Sequence, residues 1–288
     1  MDLRDILKPS TIEESLTLKS SLNNGLFLAG GTDLITKLNK KDINTEYLID
    51  LNSIDNLKKI TESDSYIEIG SMITFSKLRE SSIIKKYFKI LTDCAETMGS
   101  PQIRNMATIG GNIINAGPAA DGVPCIMALD GILVFKSLNK LRTITCLEYF
   151  ENYATEKIKA DELLIKILIP KKNILSSFYK LGKRNSLSIA RLSTSITLNV
   201  ENNIINDISI ALGAVGRYPF RAKKIEDKAL GKNISWLFEE EPLIMLENEV
   251  IDSIKGRKTM PFKKEAIKGV YKSALRKALS LVENERMI

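Results

Sequence analysis

Two glycine pairs, each set at the end of an apolar run, constrain this chain more than any other feature of its sequence. The first lies in "LAGGTDLITK", residues 28–37, and the second in "ATIGGNIINAGPAADG", residues 107–122. Glycine accepts positive φ and lets another group approach the backbone with no Cβ in the way. Where successive N–H groups converge, in a Gly-Gly turn or at a helix N-terminus, they form an anion-binding nest. Beside Gly30-Gly31, Thr32 offers a hydroxyl and Asp33 is placed to cap the following helix. Beside Gly110-Gly111, Thr108 comes first, Asn112 supplies an amide, and Asp121 closes a run of small residues that makes poor core material. Taken singly, either stretch also reads as a plain strand-to-helix junction. Taken together they predict two turns that hold a pyrophosphate between them. Neither is the GxGxxG of a dinucleotide fold or the GxxxxGK[ST] of a P-loop.

Composition narrows the chemistry. The chain has 288 residues and no histidine, which removes Ser-His-Asp and Cys-His catalysis, the HExxH zinc site and histidine as a proton shuttle. The chemistry is then borrowed from a cofactor. Cys94, Cys125 and Cys146 are odd in number and far apart, so they form neither a disulfide framework nor a CxxC motif. The net charge of +7 comes from lysines spread along the whole chain, and no nucleic-acid partner is expected from it. No apolar run approaches roughly 18 residues, and "MDLRDILKPS" has no signal-peptide pattern. The expectation is a cytoplasmic protein with no membrane partner, long enough for two packed units.

The pattern of elements is mixed. Ser10 and Glu13 predict a capping box before a short helix reaching Leu22. "LFLA", "LITKLNK" and "EYLIDL" then read as strand, helix and strand. From about Ile60, "YIEIG" alternates as a strand and "TFSKLRE" follows as a helix with Thr74 as N-cap. The positions Ile84, Tyr87, Phe88, Leu91, Ala95 and Met98 recur as one helix, ended by Gly99 and Pro101. "ELLIKILIP" closes this half, with Lys171-Lys172 as a linker. Beyond Ser176 come three meandering strands, "SSFYKLGKR", "SIARLSTSITLNV" and "IINDISIALGAV", with "ENN" as a turn between the last two. The end is an amphipathic helix that buries Ile267, Val270, Tyr271, Ala274, Leu275, Ala278 and Leu279. The fold class is α+β.

"AGGTDL" (29–34), "PQIRNMATIGGNI" (101–113), "NAGPAAD" (115–121), "ELLIKILIP" and "FYKLGKR" (178–184) resemble, in order and spacing, the FAD-binding medium subunit of molybdenum hydroxylases, the xanthine dehydrogenase and carbon monoxide dehydrogenase type. The resemblance spans almost the whole chain. It implies a p-cresol methylhydroxylase-type FAD-binding fold at 1–172, with subdomains of about 1–58 and 59–172. A C-terminal domain at 173–288, with a three-stranded antiparallel sheet and helices, would follow. It places Phe27, Leu28, Ala29, Gly30, Gly31, Thr32, Asp33 and Leu34 in a first pyrophosphate loop, and Thr108, Ile109, Gly110, Gly111 and Asn112 in a second. It places Asp121 on the ribose or adenosine side, Met98, Leu164 and Lys180 along the cofactor, and Ile189 near the flavin ring. Gly117 stands where the family usually has Ser or Thr, and Met98 at a position that is aromatic in some relatives. With no histidine for covalent attachment, the FAD is expected to be held non-covalently.

The implied role is an electron exit. A molybdenum-cofactor subunit hydroxylates substrate, a small subunit with [2Fe–2S] clusters relays electrons, and FAD here passes them to NAD or another acceptor. No metal is held by this chain, and a xanthine or purine type of dehydrogenase is the expected substrate class. A stand-alone FAD-dependent NAD(P)H reductase is the alternative, and a purely binding role for the basic C-terminal helix is the third reading. Lys180 is expected to tune the flavin or the acceptor by its charge, or else to be a surface strand lysine. Arg184 and Arg191 are expected at the surface or an interface.

Overall fold

Alternating Ile-Tyr-Glu patterns and short polar turns build three sheets in a computed structural model that describes residues 3–22, 24–183 and 188–285. The chain divides into two compact units. The first gathers Met1–Leu78, Ser100–Asn115 and Gly131–Lys171, and the second Arg79–Gly99, Ala116–Asp130 and Lys172–Ile288.

The first unit holds two of the sheets. Strands β1 (Asp5–Leu7), β2 (Gly25–Leu28) and β3 (Tyr47–Asp50) are parallel in the order β1-β3-β2. Helices Ile12–Ser21 and Leu34–Asn39 make the crossovers, as parallel neighbours require. The three-residue β1 has no sequence pattern of its own and was not expected. The first helix is capped one residue later than the Ser10–Glu13 reading. Thr11 accepts the N–H of Glu14 at 3.0 Å, while the Glu14 carboxylate accepts the N–H and hydroxyl of Ser10 at 2.7 and 3.0 Å. Glu14 is the third helical residue, and its carboxylate reaches one residue beyond the N-cap Thr11, to Ser10, so the cap is single rather than a reciprocal box.

Strands β4 (Ile60–Glu62), β5 (Tyr66–Gly70), β6 (Ile132–Lys136), β7 (Leu141–Thr145) and β8 (Leu163–Pro170) form an antiparallel sheet in the order β4-β5-β8-β6-β7. The alternation of "YIEIG" turns Ile67 and Ile69 inward, where they pair with Ile169 and Ile167 of β8. Leu16, Leu51, Ile54, Leu57, Met72 and Leu163 make a second buried cluster in this unit.

In the second unit β9 (Leu175–Leu181), β10 (Leu192–Glu201), β11 (Ile204–Gly213) and the two-residue β12 (Phe220–Arg221) form an antiparallel sheet in the order β12-β11-β10-β9. The expected meander is present, with one short strand added at its edge. Asn202 and Asn203 turn it with φ of 51° and 63°, a left-handed pair that asparagine tolerates best after glycine. The helix Met260–Glu285 covers the sheet with Ile267, Val270, Tyr271, Ala274 and Leu275 in the core. Its Lys264 and Lys268 bind Glu247 of the Glu240–Ile254 helix at 3.0 and 2.6 Å. The single helix expected across Ile84 to Met98 is two, Ser82–Tyr87 and Lys89–Thr97, broken at Phe88. Burying the Phe88 ring takes its backbone out of the helical region, to φ −136°, ψ 67°.

Candidate cofactor site

The first glycine pair links β2 to a helix. Gly31 has φ of 70°, a conformation that costs a residue with a side chain about 1–2 kcal/mol. The helix begins at Leu34, and Asp33 stands at its N-cap, but its carboxylate makes no capping hydrogen bond. The expected cap is therefore absent. The N–H groups of Gly30, Gly31, Thr32 and Asp33 find no acceptor among the described residues. Thr32 contributes its carbonyl, which accepts the Thr36 hydroxyl at 3.1 Å. Phe27, Leu28, Ala29 and Leu34 are half-buried around this open row of donors, and the Lys19 ammonium lies 5.9 Å from the centre of the Phe27 ring.

The second pair is built differently. Gly110 and Gly111 lie in the first turn of a helix, Ile109–Asn115, rather than in an open turn. Its N-terminal donors are all satisfied inside the chain. Ile109 and Gly110 donate to the carbonyls of Ile73 and Ser71 at 2.9 Å, and Gly111 and Asn112 donate to the Thr108 hydroxyl and carbonyl at 3.0 Å. The nest expected there does not form, because a helix N-terminus leaves its first N–H groups for whatever acceptors lie nearby, and the segment before Thr74 supplies them. Gly110 is required for packing, since a β-carbon there would sit 2.6 Å from Ser71.

The two motifs nonetheless meet. Gly30 packs its α-carbon on the backbone of Met106, and a β-carbon on Gly111 would lie 3.9 Å from that of Ala29. Beside Gly30 and Thr108 opens a cleft of about 200 Å³, whose walls include Thr74, Asn105, Lys58 and Lys77. Sequence reasoning missed the two lysines, and in a chain with 42 Lys and Arg residues nothing marks them. Leu164 and Ile109 are at most 2% exposed. Leu164 faces the interior beside Phe135 of β6.

The remaining predicted residues lie in the second unit. Asp121 precedes the helix Gly122–Ala128, and its Oδ2 accepts the Lys180 ammonium of β9 at 2.7 Å. Both side chains are below a tenth exposed, so Lys180 is not a surface lysine. The other oxygen of Asp121, Oδ1, is buried with no partner. Burial pushes the Asp121 carboxyl above its ordinary range, and the Lys180 charge only partly opposes this. The sequence reading set Asp121 and Lys180 at different parts of the cofactor, whereas here they form one ion pair. Met98 ends the Lys89–Thr97 helix and is half-buried. Ile189 is 81% exposed. Arg191 is exposed and lies over the Phe262 ring at 5.4 Å, and Arg184 lies outside the described residues.

The three cysteines are free and buried, and burial pushes the Cys94 and Cys146 thiols up, away from the reactive thiolate. The described residues contain no cluster of Cys, Asp and Glu that would hold a metal, and no helix among them is long and apolar enough to cross a membrane.

A parallel βαβ sheet here ends in an unused row of amides, the kind of donor array that binds an anionic group. The family model described as the FAD binding domain in molybdopterin dehydrogenase matches residues 2–172, and that of the CO dehydrogenase flavoprotein C-terminal domain matches residues 177–278. The chain belongs to this family and is an FAD subunit of the oxidoreductases known as molybdenum hydroxylases. It is 30% identical to the nicotinate dehydrogenase FAD-subunit of Eubacterium barkeri, over 93% of each chain. It is 28% identical to the glyceraldehyde dehydrogenase medium chain of Sulfolobus acidocaldarius, over 80% of this chain and 82% of that one. Its fold is that of a chain of the carbon monoxide dehydrogenase from Hydrogenophaga pseudoflava, with a TM-score of 0.88 at 24% identity over 96% of this chain and 98% of that one.

Proposed function

We propose that this chain carries FAD in a multi-subunit molybdenum hydroxylase, takes electrons from the [2Fe–2S] clusters of a small partner subunit, and delivers them to NAD or another acceptor. The molybdenum cofactor belongs to a large partner subunit, and the assembly works in the cytoplasm. The observation that carries the reading is the row of four unused N–H groups from Gly30 to Asp33, set against the TIGGN segment. These donors stand open at the start of the Leu34–Asn39 helix, half-buried from Gly30 to Thr32 and exposed at Asp33, and a pyrophosphate is an acceptor that such a row fits. Bound FAD supplies the chemistry, because it takes electrons singly and gives them up in pairs.

The chain's own part is placement. Phe27 to Leu34 hold the pyrophosphate by their amides and by the Thr32 hydroxyl. Thr108 to Asn112 form the wall behind it, with Gly111 kept small so that the cofactor reaches the loop. Asp121, Lys180, Met98, Leu164 and Ile189 take their cofactor contacts from their positions in the family's motifs. We place the domain boundary near residue 172 and the subdomain boundary near 58.

The test is purification. A yellow protein that releases FAD on denaturation, in a complex with two further chains that contain molybdenum and iron, is the expected result, and a colourless protein that takes up no FAD on reconstitution overturns the reading. Gly111→Asp brings a carboxylate to the wall of the nest and is expected to abolish FAD retention while the chain stays folded. The substrate is chosen elsewhere in the complex. A xanthine-type purine heads the panel to be tried, followed by nicotinate and small aldehydes, the compounds that similar proteins carry in their names.

A further inference from the structure

The cleft beside Gly30 has a charge that the glycine motifs do not explain. Among its lining residues are two lysines, Lys58 and Lys77, and no Asp or Glu. Lys58 is held at the wall by a hydrogen bond from its Nζ to the Asn52 carbonyl. Its nearest carboxylate is Asp55, 3.7 Å away with a side chain 89% exposed, a pair that water screens to little effect. Lys77, on the helix Phe75–Glu80, has no carboxylate within ion-pairing distance among the described residues. Two like charges sharing a cleft repel each other unless an anion lies between them. Thr74 and Thr108 line the same space, and Gly30 begins the row of unused amides.

We propose that Lys58 and Lys77 are the counter-charges for the cofactor's pyrophosphate. This inference rests on the FAD reading above. Amides alone give a doubly anionic group partial charges, whereas an ammonium forms charge-assisted hydrogen bonds that are shorter and about twice as strong as neutral ones. The two lysines come from different segments, one ending the 3₁₀ turn at Asp55–Lys58 and one in the helix after β5. They converge on the motif that each lacks by itself.

The experiment is FAD binding to the deflavinated full chain, followed by flavin fluorescence over a range of salt concentrations. The double variant K58A/K77A is expected to bind FAD roughly tenfold more weakly at low salt, with a flatter salt dependence and an unchanged melting temperature of the deflavinated protein. K58R/K77R is expected to keep the wild-type behaviour. Inorganic pyrophosphate is expected to bind the deflavinated wild type more tightly than the deflavinated alanine variant. An alanine variant with wild-type affinity and wild-type salt slope overturns the assignment. So does one that loses pyrophosphate binding while its FAD affinity is unchanged, since the cleft is then a separate anion site. If the wild type itself binds no FAD, the flavin reading fails, and that result is distinct from a variant equal to a binding wild type.

Discussion

The α-carbon of Gly30 lies against the carbonyl of Met106, so closely that a β-carbon at residue 30 would overlap the oxygen. The contact is backbone on backbone, and no rotamer change relieves it. Gly30 is therefore glycine because another segment of the chain sits there, and its N–H has no acceptor among the described residues. Gly30→Ala is expected to destabilise the deflavinated protein by about 1–3 kcal/mol, the usual cost of overpacking. Gly111→Ala has only the Thr108 hydroxyl in its way, at 2.9 Å, and is expected to cost less. Denaturant unfolding of both variants checks the order, and equal stabilities would show that the two motifs do not pack as described.

Lys180 and Asp121 are buried together, and each makes the other's charge tolerable. Lys180→Met leaves a buried carboxylate with neither oxygen paired, a change that typically costs about 3–5 kcal/mol. The second change in Lys180→Met/Asp121→Asn removes that charge and is expected to recover part of the loss. Urea unfolding of the deflavinated single and double variants keeps this apart from any effect on cofactor retention. A Lys180→Met protein as stable as wild type would show that the pair is solvated in solution.

Glu162 supplies a pH-dependent contribution. Burial alone would raise its carboxyl, but the Arg142 guanidinium outweighs this, with Nε and Nη2 donating at 2.7 and 2.6 Å, and holds it below the ordinary carboxylate range. A folded-state pKa below the unfolded value of about 4.3 means that the unfolded chain binds the proton first. The stabilisation is complete above that value and is lost as pH falls through it towards the folded-state pKa. Glu162→Gln should then be less stable than wild type at neutral pH, with the gap narrowing in acid. Melting curves at several pH values test the sign, and a gap that widens in acid would contradict it.

Much of the architecture is legible locally. The alternation in "YIEIG" predicts which residues β5 buries, the seven-residue apolar stripe of the C-terminal helix predicts the side it packs, and "ENN" predicts a turn. The failures are local as well. The N-cap is Thr11 rather than Ser10, because serine and threonine adjoin there and both can cap. Phe88 fits a helical stripe, yet its ring is buried only with the helix broken around it. The strands β1, β4 and β12, with two or three residues each, are too short to carry a period.

The sequence by itself determined the α+β class and the absence of histidine, since composition and short-range periodicity survive in a linear string, and its paired motifs carried the resemblance to the family. Only the tertiary structure decided which glycine motif keeps its amides free. The N–H groups of Ile109 and Gly110 are taken by carbonyls nearly forty residues earlier, and every residue carries the same carbonyl, so no side-chain letter announces the partner. The pairing of Asp121 with Lys180 and the convergence of Lys58 with Lys77 on one cleft have the same origin. Charge is written in the sequence, but proximity arises from the path of the chain.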